Sequence, residues 1–406
     1  MTLKTRLSQL QSQAGGRQKA PTLSHQPNAL KIPHRVGQPN RDSSHRPHSD
    51  SRLAEQLEGR LIAEGVIQIE KQIPLNSKLG AMQLSELQTA PQLPGDDRVT
   101  LKNYYLDTET TGLSGGSGTL AFLIGYAWME RSAICLRQLL ITRFSAETKM
   151  LEKIALGLET AERLVSYNGK SYDLPLLISR FRISSRKQQF DRLPHLDLLH
   201  PTRRLFRHHW PNCRLATLEQ RLLGYHRVGD LPGSEAPAAW FDYLQRGSEQ
   251  KLLKVVEHNQ NDIVSLVAAH TELARITRDP DRYDLDLYSL ARWIGKFDRE
   301  QACDLLRKRV EQADERSKGY LAHLLQKSGD WQGATQLWYQ LAQNRCPEAL
   351  EKLAKYHEHV SKDLEAARHY CRQLPDCQAR THRLRRLQRK ADLRLSPAYQ
   401  FTVLQS

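Results

Sequence analysis

Apolar residues come in short runs bounded by turn residues along the first two-thirds of the chain, and with helical spacing along the last third. The first run, Gly65-Val66-Ile67-Gln68-Ile69, alternates as a strand with one buried face does. Tyr104-Tyr105-Leu106 reads as a buried strand. Leu120 to Trp128 forms a second strand after the Ser114–Gly118 turn, and Ile134 to Thr142 a third. A helix is expected over Ala146–Leu158, followed by a fourth strand at Leu164-Val165-Ser166-Tyr167. From about Asp284 the pattern turns helical. Ala302, Ala334 and Ala366 recur at one constant interval, as do Ala322 and Ala354, with Gly295, Gly329 and Ser361-Lys362-Asp363 as turns. Small residues at fixed spacing let neighbouring helices pack closely, which points to two or three helix-turn-helix units of tetratricopeptide type. The usual Trp and Tyr positions of that repeat are matched only in part, and an ordinary helical bundle is the alternative.

These runs divide the chain into a basic tail (1–52), an extension packing on the next domain (53–100), an α/β domain (101–278), helical repeats (284–375) and a basic C-terminal helix and tail (376–406). The tail holds Asp42 and Asp50 against nine Lys and Arg and has no aromatic residue, so it cannot bury enough apolar surface to order itself. Its cations suit phosphates, and a solvated tail without a role is the equal alternative. The chain as a whole carries a net charge of +15 at a pI of about 9.6, which suggests a polyanionic partner, nucleic acid first. The six cysteines form no CxxC pair, so neither a structural zinc nor a disulfide framework is expected. The N-terminus has no apolar segment of a secretory signal and no run is long enough to span a bilayer, so a cytoplasmic location and no membrane partner are expected.

Candidate chemistry sits in three pieces. Asp107 and Glu109 flank Thr108 at the end of an apolar strand, and alternate side chains of a strand point to one side. Two carboxylates on one side can share a hard divalent cation, which prefers oxygen ligands. Thr110-Thr111-Gly112-Leu113 then turns with backbone donors available to a nucleotide. In the second piece, Tyr167 ends a strand, Asn168-Gly169 turns, and Asp173 begins a helix; Asn168 and Tyr172 are candidate substrate contacts. Asp173 is an N-cap by its position alone, and a third metal-site carboxylate by its context. In the third, His258 and Asp262 lie one helical turn apart and share a face, whereas Glu257 lies off it. Asp262 suits metal ligation, and His258 the orientation or deprotonation of an attacking water. His195, Asp197 and His200 read as capping and packing groups. Lys170 and Arg180 are equally surface residues or phosphate contacts, and His208, His209 and Trp210 offer weak stacking for a base. The seven basic residues of Gln378–Leu395 favour phosphate contact over mere solvation.

Asp107, Glu109, Asp173 and Asp262 stand in the order of the DEDD 3′–5′ exonucleases, which the motifs closely resemble. The resemblance implies two divalent ions, Mg2+ or Mn2+, held by these four carboxylates. That superfamily takes its base from a histidine five residues before the last Asp or a tyrosine four before it; here a histidine, His258, occupies the tyrosine spacing. A narrower resemblance, over residues 53–275, is to the YprB-type ribonuclease-H-like family. It rests on Leu106–Gly118, Tyr167–Pro175, Leu218-Glu219 with Leu223-Gly224, Asp230–Pro237 and His258–Asp262. Together these imply an α/β ribonuclease-H-like mixed sheet with flanking helices, followed by an all-α helical-repeat domain. They imply a 3′–5′ exonuclease acting on single-stranded ends of DNA or RNA, with a protein partner at the repeats. The alternatives are a structure-selective endonuclease on the same fold and a non-catalytic nucleic-acid-binding scaffold.

Overall fold

The computed structural model of the chain describes residues 47–89, 92–96, 102–112, 118–188 and 190–395. Helix α1 (Pro47–Gln56) begins inside the segment assigned to the tail. It is fixed by Asp50, whose buried carboxylate accepts from Arg143 and from the Tyr243 hydroxyl. Strands β1 (Arg60–Ala63) and β2 (Val66–Pro74) follow, then the small hairpin β3 (Lys78–Leu79) and β4 (Met82–Gln83).

The remaining α/β elements are β5 (Asn103–Thr110), β6 (Ala121–Met129), β7 (Ala133–Ile141), α2 (Glu147–Gly157), β8 (Arg163–Ser166), α3 (Asp173–Ile183), β9 (His195–Asp197), α4 (Leu199–Phe206), α5 (Leu215–Leu218), α6 (Ala236–Arg246) and the long α7 (Gln250–Arg278). The strand order is β1-β2-β7-β6-β5-β8-β9 in one seven-stranded sheet. β5 is antiparallel to β6 and parallel to β8, and β8 is parallel to β9. This is the mixed sheet with flanking helices expected from the sequence. Residues 60–74 do more than pack on the domain: β2 pairs along its whole length with β7, from Val66 opposite Ile141 to Pro74 opposite Ala133.

Alternation along β5 explains how the sheet serves two layers. Tyr104 and Leu106 enter one apolar cluster with Phe122, Leu177, Phe181 and Trp240, while Tyr105 enters the other with Ile263, Val267 and Leu273 of α7. α7 is buried along nearly all of its second half, from Ile263 to Ile276.

The helical region comprises α8 (Leu287–Ile294), α9 (Arg299–Arg307), α10 (Glu315–Ser328), α11 (Trp331–Gln343), α12 (Pro347–His359), α13 (Leu364–Gln373) and α14 (Gln378–Leu395). Ala302, Ala322, Ala334 and Ala354 are fully buried between helices, as small contact residues should be, whereas at the third position Ala367 is the buried residue and Ala366 is half-buried. Helices α8, α9, α10, α11 and α13 share one start signal. Asp286, Asp298, Asp314, Asp330 and Asp363 each accept a backbone N–H two or three residues into the helix.

The basic helix α14 departs from its sequence reading. Arg383 binds Glu351, and Arg386 and Lys390 grip the buried carboxylate of Glu358. Much of its charge therefore fastens it to α12, leaving Arg385 and Arg389 exposed. Burial opposes ionisation of Glu358, but its cations win and hold the carboxyl down to about 2. A depressed carboxyl contributes stability that is complete above its ordinary pKa and lost as pH falls through the folded value. Glu358→Gln should lower stability by about 1–3 kcal/mol at pH 7, and the difference from the parent should shrink as pH falls from 4.5 toward 2. Urea unfolding at pH 7 and at pH 3 checks this; an equal midpoint at pH 7 would refute it.

Candidate active site

Asp107 and Glu109 lie on β5 with their side chains on the α7 face of the sheet. Asp107 sits opposite Gly125 of β6, and Gly125 sits opposite Gln138 of β7. The missing side chain at Gly125 lets α7 approach. A Cβ there would lie 2.1 Å from Asn259 Oδ1 and 2.3 Å from Ile263 Cδ1, both on α7. Asn259 fills the gap. Its amide donates to Asp107 Oδ2 at 2.8 Å, and its oxygen accepts from Gln138 Nε2 at 2.8 Å. Gln138 Nε2 also donates to the Val256 carbonyl at 2.9 Å. Both amide side chains are 0% exposed.

Asp173 arrives from the start of α3. The chain reaches it through a turn in which Asn168 takes a left-handed conformation, φ 69°. That turn is anchored by the buried Asp197, which accepts from the backbone N–H groups of Asn168 at 2.7 Å, Lys170 at 3.1 Å and Leu199 at 3.0 Å. The Thr108 hydroxyl donates to Asp173 Oδ1 at 2.5 Å, tying α3 to β5. Asp197 and His195, whose Nε2 meets the Ser166 hydroxyl at 2.8 Å, are thus capping and packing groups. Trp210 stacks on Phe206 and His209 pairs with Asp284, which engages both in packing.

His258 and Asp262 come from α7, with His258 Nε2 3.6 Å from Asp262 Oδ2. Asp230, in the loop before α6, lies 2.8 Å from His258 Nδ1. Arg227 Nη1 stands 3.3 Å from the same nitrogen. One ring nitrogen cannot donate to Asp230 and accept from Arg227 together, and the shorter contact makes Nδ1 the donor to Asp230. The lone pair of Nε2 then faces Asp262. Arg227 itself binds Asp262, Asp230 and the 1%-exposed Glu219.

One cavity of about 680 Å3 is lined by Asp107, Glu109, Asp173, His258 and Asp262 together with Thr110, Gly112, Asn168 and Tyr172. Thr111 is set apart: its N–H and hydroxyl close the β5–β6 junction on Leu120. Leu113 lies outside the described residues. Burial pushes the Asp107 carboxyl well above the usual range, and Asp262, Asp173 and Glu109 push it further while Asn259 opposes. Burial, then Asp262, Asp173 and Asp230, raise Glu109 to about 9 against the pull of Arg227. Burial raises Asp173 to about 6, with the Thr108 hydroxyl opposing. Acidic groups this close repel one another unless cations or protons intervene. All the oxygens are hard donors, so the set suits a hard dication. No three His, Cys, Asp or Glu groups among the described residues stand at metal-ligand spacing as placed. Asp107, Asp173 and Asp262 each commit one oxygen, to Asn259, Thr108 and Arg227 in turn.

Residues 104–274 match the family model described as RNase_H superfamily. This segment is similar to ribonuclease-H-superfamily domains. The chain is also 28% identical, over 321 residues, to the Bacillus subtilis (strain 168) protein named "Uncharacterized protein YprB", covering 73% of this chain and 77% of that one. Among solved structures, the family B DNA polymerase of the hyperthermophilic archaeon Pyrobaculum calidifontis is similar over 70% of this chain and 36% of its own, at 10% identity and a TM-score of 0.32.

Sequence reasoning about the ribonuclease-H-like domain missed six groups: Thr108, Gln138, Glu219, Arg227, Asp230 and Asn259. Thr108, Glu219, Asp230 and Asn259 fall within motifs that carried the resemblance, but spacing gave none of them a role. Gln138 had one signal, a polar residue inside the apolar run Ala133–Ile141. Gly125→Ala should force α7 away from the sheet, costing about 1–3 kcal/mol by overpacking and detaching Asn259 from Asp107. A urea midpoint equal to the parent's would disprove that close seating.

Proposed function

We propose that the protein is a metal-dependent nuclease, a 3′–5′ exonuclease of single-stranded DNA or RNA. The observation that carries this reading is the meeting of Asp107, Glu109, Asp173 and Asp262 in one open cavity with a histidine held by a further carboxylate. The superfamily of residues 104–274 and the net charge of +15 agree with it.

The four carboxylates would hold two divalent cations, Mg2+ or Mn2+. Bound there, the ions would lower the pKa of the attacking water and stabilise the leaving oxygen. Asp230 fixes the tautomer of His258, so that Nε2 is free to take a proton from water on the cavity side. Asn259 keeps Asp107 from rotating. Arg227 offsets part of the cluster's negative charge and would yield Asp262 to bound cations, while Glu219 would retain it. Thr110, Gly112 and Asn168 form the wall available to a terminal nucleotide, and Tyr172, 59% exposed beside Asp173, offers a ring to a base. The paired helices α10–α13 read as tetratricopeptide-like units offering a face to a protein partner. No described helix is long and apolar enough to cross a membrane, and a cytoplasmic location is part of the proposal.

Asp107→Asn and Asp262→Asn should each lower manganese-dependent hydrolysis of a labelled single strand by several kcal/mol of barrier, about three decades in rate. His258→Ala should lower it by about 10^2–10^4-fold. Unchanged rates in the two Asn variants would sink the reading; cleavage of a closed circle would replace exonuclease by endonuclease.

Metal binding should also release protons. Glu109, raised to about 9, is protonated at pH 7, and a dication must displace that proton to reach the oxygen. Affinity for Mn2+ should therefore rise with pH. Calorimetric titration in two buffers of different ionisation enthalpy measures the release; identical heats in both would contradict it.

A further inference from the structure

The turn Asn168–Lys170 is a wall with two sides. Asn168 faces the catalytic cavity, while Lys170 lines a second cavity of about 320 Å3 on the other side. Both backbone amides are pinned to Asp197, so the turn sits at a fixed place between the two spaces.

The charged lining of the second cavity consists of Asp96, Arg163, Lys170, Asp197 and Arg204, with the imidazoles of His195 and His200. Arg163 is spent on Asp96 at 2.6 Å and on Asn103 at 2.7 Å. Asp197 is turned to its three backbone donors and is 2% exposed. Burial keeps His195 neutral, its pKa lowered to about 4. Lys170 and Arg204 are different. Neither has a carboxylate partner among the described residues. Lys170 is exposed, whereas Arg204 is half-buried with its guanidinium 4.7 Å over the Trp293 ring of α8. A guanidinium stacked on indole is held in place with its donor edge free. A cation withdrawn from water without a counter-charge gains most from an arriving anion.

We propose that this cavity is a phosphate subsite for the nucleic-acid strand whose end occupies the catalytic cavity. Lys170 and Arg204 are its cations and His200 a further donor. The proposal rests on the nuclease reading for the identity of the anion. It gives the helical region a part in substrate binding, because Trp293 belongs to α8 and holds Arg204 toward the strand. A strand crossing the Asn168–Lys170 turn would place its end among the carboxylates and an upstream phosphate between Lys170 and Arg204. The subsite takes a phosphodiester backbone rather than a base, since Trp293 is covered by Arg204 and only 8% exposed.

The test is fluorescence anisotropy of a labelled single strand on the full chain carrying Asp107→Asn, so that binding is read without turnover, over a series of salt concentrations. Lys170→Ala with Arg204→Ala should weaken binding by about tenfold or more and flatten the plot of log affinity against log salt by roughly 1.4, about 0.7 for each phosphate contact on a single strand. Arg204→Lys, which keeps the charge, should recover most of the slope lost in Arg204→Ala. Lys170→Glu, at an exposed position, should weaken binding with the urea midpoint unchanged, which keeps the test alive if Arg204→Ala fails to fold. A salt slope equal to the parent's in the double variant, or no recovery in Arg204→Lys, overturns the subsite and leaves the nuclease reading standing. Undiminished hydrolysis by Asp107→Asn overturns the nuclease reading, and the salt slopes remain readable.

Discussion

A row of buried amides holds the candidate site together. Gln138, Asn259 and Asp107 are linked across the gap left by Gly125, where strand β6 lacks a side chain and α7 comes down onto the sheet. Polar groups in such a place must be satisfied by one another, because water does not reach them. The consequence is register. Asn259 can reach both partners only if α7 sits at one height and one rotation over the sheet. His258 precedes Asn259 and Asp262 follows one turn after His258, so both are delivered to Asp107 and Glu109 by the same contact. Gln138 Oε1 has no hydrogen-bond partner among the described residues. A buried acceptor left idle is a cost that an apolar residue would avoid, which fits a position retained for orientation rather than stability.

The second constraint is charge. Asp107, Glu109 and Asp173 are all pushed upward by burial and again by neighbouring carboxylates. A fold gains nothing in stability from this crowding. Strongly perturbed acids around a cleft mark a site whose task is to meet a cation or a proton. Arg227 shows what the cluster lacks: it reaches Asp262 from the Asp230 loop and anchors itself on Glu219, as an internal counter-ion would. Its contacts also expose how the site divides its labour. Asp230 and Glu219 restrain the cationic and imidazole groups, leaving Asp107, Glu109, Asp173 and Asp262 to face the open space.

How much of this was legible in the sequence follows from which interactions are local. Strands β5 to β8 and helix α2 could be read because each is an apolar run with turn residues at its ends. The pairing of Asp107 with Glu109, and of His258 with Asp262, could be read because each depends on the period of one element. β2 was read as a strand over Gly65–Ile69 but was placed with β1 in an extension, since joining the sheet depends on β7, far along the chain. The roles of Arg227 and Asp230 were hidden for the same reason, because Asp262 and His258, which they meet, lie on α7. The charge on α14 misled: helical period shows that cations cover the helix, but only the neighbouring Glu351 and Glu358 show which of them face protein. His209 and Trp210 looked available for a base, yet Asp284, far along the chain, engages His209, and Phe206, one helical turn earlier, engages Trp210.

The same logic bears on the helical region. α7 has two halves with different surroundings. Its first half meets the sheet with Leu252, Val255 and Val256, whereas its second half runs from Ile263 into a core shared with Leu290, Ile294, Ala302 and Leu306 of α8 and α9. Asp262 sits at the change between them. A helix clamped at both ends by different partners cannot rotate or slide without disturbing one of them, since packed cores are stiff on the scale of a methyl group. The helices beyond residue 284 therefore help fix the height at which Asp262 faces Asp107, beside holding Arg204 through Trp293. That makes the helical region part of the structure that positions the site, and an interaction that displaced α8 or α9 would be felt at the carboxylates through α7 itself.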